Sequence, residues 1–341
     1  MTSISLLAGA ILVSLVMYSL LAGADYGAGF WDLLCHGPRQ QEQRHLIEQA
    51  IGPVWEANHV WLILTVVLVF SGFPDAFGAL CVGLAIPLFV VLLGIVLRGC
   101  SFVFRSYFTG ERQTQLYWGK VFSISSSMTP LFLGILIGSI SCDSVVINSG
   151  VSENGFLKTW LLPFPLAVGI LAVSLFAYLS ACYLAADAGN EELKDDFRIR
   201  GVIAGLVSIA MAFITYIVAG SSAAGIRQEL SSRSAAWLIE ACALGSTIVA
   251  FRGLWLRRFQ QARIAAAIQV ALIVAGWGVA QYPYLIRPNI TIANSAAPDN
   301  VAAAIDIALG CGAIVLIPSL MVLFTVFNRT QGVTQAEQAG D

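Results

Sequence analysis

Roughly nine stretches of this chain are each long and apolar enough to cross a lipid bilayer, and that restricts the fold more than any motif does. A spanning helix needs about 20 mostly apolar residues, because its backbone N–H and C=O groups must pair internally where there is no water. Spans are expected near 4–31, 50–72, 76–99, 117–140, 160–186, 201–222, 235–251, 263–282 and 302–327. The fold class is an all-α polytopic membrane protein, with residues 1–341 as one integral membrane domain. The chain is 11% charged, against about 25% in a soluble domain. Its net charge of −2 excludes a nucleic-acid partner. No Lys or Arg precedes the first apolar run, which is also too long for a signal peptide, so it is read as a retained span.

Basic residues set the expected orientation. The first, third, fifth and seventh loops and the tail hold 14 of the Lys and Arg residues; the other loops hold only Lys158, Arg227, Arg233 and Arg287. The positive-inside rule then places the N-terminus outside and the C-terminus in the cytoplasm. Ser71-Gly72-Phe73-Pro74-Asp75 reads as a tight turn making an antiparallel hairpin of the second and third spans. "DAGNEELKDDFRIR" reads as a solvated connection and 329–341 as a frayed polar tail.

Ionisable groups in hydrocarbon are costly and raise a functional hypothesis by default. Asp25 ends the apolar core of the first span, while Glu56 and His59 open the second from the same side. At about 1.5 Å per residue, a helix starting near Ile51 puts His59 roughly 10–14 Å in. Glu56 and His59 are i, i+3 and share a face; Trp55 and Asn58 do the same one residue back. Gly23 and Gly27 flank Asp25 at the spacing that lets membrane helices approach closely. Two readings stay open. Asp25, Glu56, Asn58 and His59 could relay protons, since His titrates near neutral pH. Alternatively, Glu56 could simply complement a helix N-terminus begun by Pro53, with His59 a structural residue.

Arg98 and Arg105 are i, i+7 after the third span. They either anchor the helix at the interface or compensate a buried carboxylate or an anionic cofactor group. Glu240 and Asp306 fall at outer span ends and read as interfacial. Seven scattered cysteines with no C-x-x-C support neither a disulfide framework nor a metal site, and read as buried apolar residues. The chain has three histidines and one of them, His59, lies in a span, so haems ligated by histidine pairs would have to be held mostly by another chain. No phosphate-binding loop or dinucleotide fingerprint occurs.

"GADYGAGFWDLL" followed by "IGPVWEANHVWLILTVVLVFSGFPDAF" resembles the start of subunit II of the bacterial cytochrome bd-type quinol oxidases. The matching positions are Asp25-Tyr26-Gly27-Ala28-Gly29, then Pro53 to Leu62 with Trp55, Glu56, Asn58 and Trp61, then Phe73-Pro74. Arg98 and Arg105 fall where the family carries arginines, and "TPLFLG" and "YPYLIRPNITI" are weaker matches. The resemblance implies two four-helix bundles plus one peripheral helix: residues 1–140 with the polar cluster, then 160–328 with the last helix. It implies a heterodimer in the bacterial cytoplasmic (inner) membrane. Subunit I there binds the haems, b with d left open, and oxidises quinol, while this chain ligates none. In some members subunit II supplies a proton path to the oxygen-reducing haems. A small single-span accessory subunit, membrane lipid and a structural quinone belong to the same set of implied partners. Glu56-Ala57 stands where the family often has Asp-Gly, and His59 where it has Glu or Gln, a variant also resembling the cyanide-insensitive branch. A secondary transporter with an intramembrane carboxylate and a purely structural scaffold are the alternatives.

Overall fold

A computed structural model of the chain describes residues 2–51, 55–107, 112–143, 147–148, 151–152 and 159–338. The described residues form twelve helices and two small two-stranded hairpins. The helices are α1 (Thr2–Leu33), α2 (Gln40–Ile51), α3 (Trp55–Gly72), α4 (Pro74–Gly83), α5 (Ala85–Tyr107), α6 (Arg112–Ile140), α7 (Pro163–Asp187), α8 (Glu191–Ser222), α9 (Ala224–Ser232), α10 (Ser234–Trp255), α11 (Phe259–Gln281) and α12 (Asp299–Gln338). Eight are long and apolar enough to span, and the bent pair Asn58–Gly72 and Pro74–Gly83 makes a ninth if counted as one span. The all-α polytopic architecture is therefore as the hydropathy pattern requires.

Several boundaries differ from expectation, each for a local reason. The turn after α3 does not lead into a span over 76–99. Pro74 occupies the first position of α4, where its missing N–H costs nothing but forbids continuation of α3. The axis swings by 115°. Ten residues at about 1.5 Å each cannot cross a bilayer, and the spanning helix is α5, which starts after the non-helical Leu84. The second span begins at Trp55 rather than near Ile51, which ends α2, so His59 lies only about 6 Å into its helix. Most of "DAGNEELKDDFRIR" is not a loop but the first turns of α8. The Asn190 side chain accepts from Leu193 N at 2.7 Å, and Glu191 and Glu192 complement the helix N-terminus. The backbone of α12 stays helical to Gln338, so most of the supposed 329–341 tail continues that helix.

The core forms around α7, which packs against α1, α6, α8 and α11. α1 in turn touches α3, α6, α11 and α12, so it bridges the two halves of the chain. Ala177, Tyr178, Leu179, Ala181 and Cys182 are essentially inaccessible. Outer faces of α8, α10 and α12 show Ile203, Leu206, Leu244, Ile248, Ile307 and Ile314 instead, as lipid- or protein-facing apolar surface does. The cysteines follow the same division. Cys35, Cys142 and Cys182 are buried, but Cys81, Cys100, Cys242 and Cys311 are exposed, against the expectation of burial. In a membrane an apolar thiol is as well placed outward as inward.

α2 was absent from the sequence reading. It lies along the arginine-rich end, burying Leu46, Ile47 and Ile51. Arg39, just before it, grips Asp196 of α8 through two bonds of 2.9 and 2.7 Å and reaches Glu192 at 3.0 Å, while Gln43 donates to Asp196 at 2.8 Å. These groups are partly solvated, so salt should weaken them. Asp196→Asn is expected to speed proteolytic cutting between residues 34 and 39 by about two- to fivefold, with the wild type approaching it as salt rises. Equal cutting at all ionic strengths would contradict that.

Candidate functional site

Two charged rungs, one helical storey apart, cross the bundle between α1 and α5. Asp25 and Asp32 are i, i+7 on α1; Arg98 and Arg105 are i, i+7 on α5. Seven residues make nearly two turns, so each pair lies on one face about 10 Å apart. The helices run in the same direction, and the rungs match: Arg98 with Asp25, Arg105 with Asp32.

The inner rung is fully enclosed. Arg98 is 2% and Asp25 6% exposed, and an Arg98 Nη lies 3.9 Å from an Asp25 carboxylate oxygen. Arg98 Nε donates to Ser126 Oγ of α6 at 3.2 Å, and its guanidinium lies over the rings of Tyr26 at 4.9 Å and Phe122 at 5.4 Å. Asn58 of α3 donates to the same Asp25 oxygen and to Leu21 O. Tyr18 and Tyr26 share a hydroxyl–hydroxyl bond of 3.1 Å, and the His59 ring packs 6.1 and 6.4 Å from their centroids. Burial of an ion is tolerated only with partners on several sides, and here α3, α5 and α6 all supply them. Even so, Asn58 Oδ1, His59 Nδ1 and one Arg98 Nη have no hydrogen-bond partner among the described residues. Unsatisfied buried polar atoms are rare and costly, about 1–3 kcal/mol each, and tend to mark functional chemistry.

The outer rung meets the surface. Asp32 is 1% exposed, accepts from Arg105 at 3.0 Å and Ser123 Oγ at 2.5 Å, and lies 3.6 Å from Arg44. Arg105 also grips Glu48 of α2 at 2.6 Å, and that carboxylate is partly open to solvent. Phe122 touches both rungs, with the Arg105 guanidinium 5.8 Å from the centroid of its ring. Close approach of α1 to α6 depends on Gly29, where any Cβ would collide with Ser126. The sequence reading missed Asp32, Ser123 and Ser126. The available signal was the i, i+7 spacing of Asp25 and Asp32, which repeats that of the two arginines.

Other candidates fall as follows. Gly23 and Gly27 face Phe176 of α7, the latter against its backbone carbonyl. Trp61 is half-buried beside Tyr18 and Tyr26. The helical backbone of α3 includes Trp55 and Glu56, but their side chains, and Gly52 to Val54 entirely, lie outside the described residues. His36 and His45 are exposed, and the His59 ring packs against those of Tyr18 and Tyr26.

Comparison with known proteins gives this geometry its context. The family model described as cytochrome bd terminal oxidase subunit II matches residues 4–327. A putative cytochrome bd menaquinol oxidase subunit II of Bacillus subtilis is 24% identical over 338 residues, covering 94% of both chains. The cytochrome bd-I ubiquinol oxidase subunit 2 of Escherichia coli is 25% identical, covering 83% of this chain and 81% of its own. The solved bd oxidase of Geobacillus thermodenitrificans superposes with a TM-score of 0.80 at 26% identity, over 96% of this chain and 99% of that one. With its eight or nine candidate spans and its charged ladder within the matched region, the chain belongs to the cytochrome bd terminal oxidase subunit II family.

Proposed function

We propose that within the quinol:O2 oxidoreductase this family belongs to, the chain carries protons from the cytoplasm through Asp25, Glu56, Asn58 and His59 toward haems held by the partner subunit I. The chain is a multi-pass membrane subunit of a cytochrome bd quinol oxidase. Reduction of O2 to water consumes protons, so a buried haem site needs a route for them. The observation that carries the reading is the enclosed Asp25 carboxylate with Arg98 and Asn58 on it, together with the buried Asn58 Oδ1 and His59 Nδ1, which have no hydrogen-bond partner among the described residues. Arg98 compensates the carboxylate charge and Asn58 orients it, which keeps a titratable group available in a low-dielectric site.

In this reading the arginine-rich end faces the cytoplasm, and the membrane is the bacterial inner membrane. Haems b, with or without d, belong to subunit I, as does quinol oxidation. Residues 1–140 and 160–328 are the two bundles of one domain, and their apolar outer faces take lipid, subunit I and any single-span accessory subunit. The family match favours neither the transporter nor the scaffold alternative.

Asp25→Asn and Glu56→Gln variants of the whole complex are expected to lose at least about tenfold in O2 turnover per assembled haem with an unchanged haem spectrum, Asp25→Asn at lower yield because it leaves Arg98 without its ionic partner. Full turnover with intact haem would refute the proton role. Loss of haem would instead make these residues supports of the partner's pocket.

A further inference from the structure

We infer that Glu48, Arg105 and Asp32 form the entrance of the proton route, Glu48 taking up the proton and Asp32 passing it inward to Asp25. The inference rests on the proton path proposed above and adds the part that connects it to water. Asp25 is sealed among α1, α3, α5 and α6, and a buried carboxylate exchanges protons only through groups that reach the surface. The outer rung supplies that connection. Glu48 is partly solvated, Arg105 touches both Glu48 and Asp32, and Asp32 lies one storey above Asp25 on the same face of α1.

The charges facing Asp32 balance. Arg44 and Glu48 come from α2, Arg105 from α5, and α6 offers the uncharged Ser123. Two carboxylates against two guanidinium groups make a neutral entrance, which carries one positive charge while it holds the proton and is neutral again once the proton has moved inward. A hydronium ion gives its proton to Glu48 and leaves as water. Glu48 then releases its share of Arg105, and the proton moves on to Asp32 through a bridging water, because the guanidinium between the two carboxylates keeps its own protons. Phe122 packs against the arginines of both rungs, and Ser123 and Ser126 lie i, i+3 on one face of α6, each bonded to one rung. Their hydroxyls, with at least one water, span the interval of about 10 Å.

The test uses the intact complex with Asp32→Asn, Asp32→Glu, Glu48→Gln and Asp25→Asn variants. The readouts are haem absorbance, O2 turnover against pH, and the solvent isotope effect. Asp32→Asn should lose about tenfold or more in turnover with haem retained and a larger isotope effect, and Asp32→Glu should recover most of the loss. Glu48→Gln should make turnover begin to fall at a lower pH, because the surface group that collects scarce protons is gone. If Asp25→Asn is slow while Asp32→Asn and Glu48→Gln match the wild type in rate, pH profile and isotope effect, the entrance is elsewhere and the inference fails alone. If Asp25→Asn is also fast, the proton path itself fails. Should Asp32→Asn not assemble, Glu48→Gln decides: an unchanged pH profile overturns the inference and an earlier alkaline decline supports it.

Discussion

Arg98→Gln is expected to abolish most of the assembled complex, the largest effect of any single side chain in the inner rung. The guanidinium is the ionic partner of Asp25 and is 2% exposed, bonded to Ser126 and stacked between Tyr26 and Phe122. Removing one member of a buried ion pair leaves the other uncompensated, at a cost of about 3–5 kcal/mol, a large share of the stability of most domains. Arg98→Lys should rescue only partly, since a compact ammonium cannot both stack on two rings and reach Asp25 and Ser126. The double variant Arg98→Gln with Asp25→Asn should recover much of the complex, because it leaves no lone charge. Recovery of protein and haem would be measured in detergent-extracted membranes, with thermal unfolding of what survives. If Arg98→Gln assembled normally, or the double variant were no better than the single, the ion pair would not be what holds this rung.

That pairing shows where sequence reasoning reaches and where it stops. Hydropathy is a property of each segment alone, so the number and approximate placement of spans were legible without tertiary information. Breaks such as Pro74 and caps such as Asn190 are also local, but hydropathy outweighs them: apolar content over 74–83 reads as span, and polar content over 187–200 reads as loop. The partners within the inner rung were another matter. Asn58, Arg98 and Ser126 come from three other helices, and no spacing within one segment reveals which arginine meets which carboxylate. Asp32, an acidic residue at a span end, carries no mark in the sequence that separates it from an interfacial one. Only the fold shows that α2 and α6 close over it. His59 stands out in the sequence as a histidine within a span, yet what it touches, the rings of Tyr18 and Tyr26, depends on α1 lying beside α3.

The same dependence on helix approach gives the second large expected effect, at Gly27. α1 and α7 meet so closely there that a Cβ on Gly27 would fall 2.5 Å from the backbone carbon of Phe176 and 2.6 Å from Ser180 Cβ, and closer still to the Phe176 carbonyl oxygen. A side chain can rotate away from an intruding methyl, but a helix backbone cannot, so Gly27→Ala must push α7 off α1. Overpacking of this kind typically costs about 1–3 kcal/mol, and the upper end or more is expected where the obstacle is backbone. The displacement would also strain the bond of 2.8 Å from Trp31 Nε1 to Ala177 O one turn on, and would move Asp25 relative to Arg98. Gly9→Ala on the same helix is the matched comparison, because nothing lies within 4 Å of its Cβ. There the change should be neutral or stabilise by about 0.5–1 kcal/mol, the ordinary preference of a helix for alanine. Thermal stability and haem retention of the two purified complexes would be compared directly. Equal behaviour would mean that α1 and α7 do not meet at Gly27, whereas loss confined to Gly27→Ala ties the charged ladder to a contact that only glycine permits.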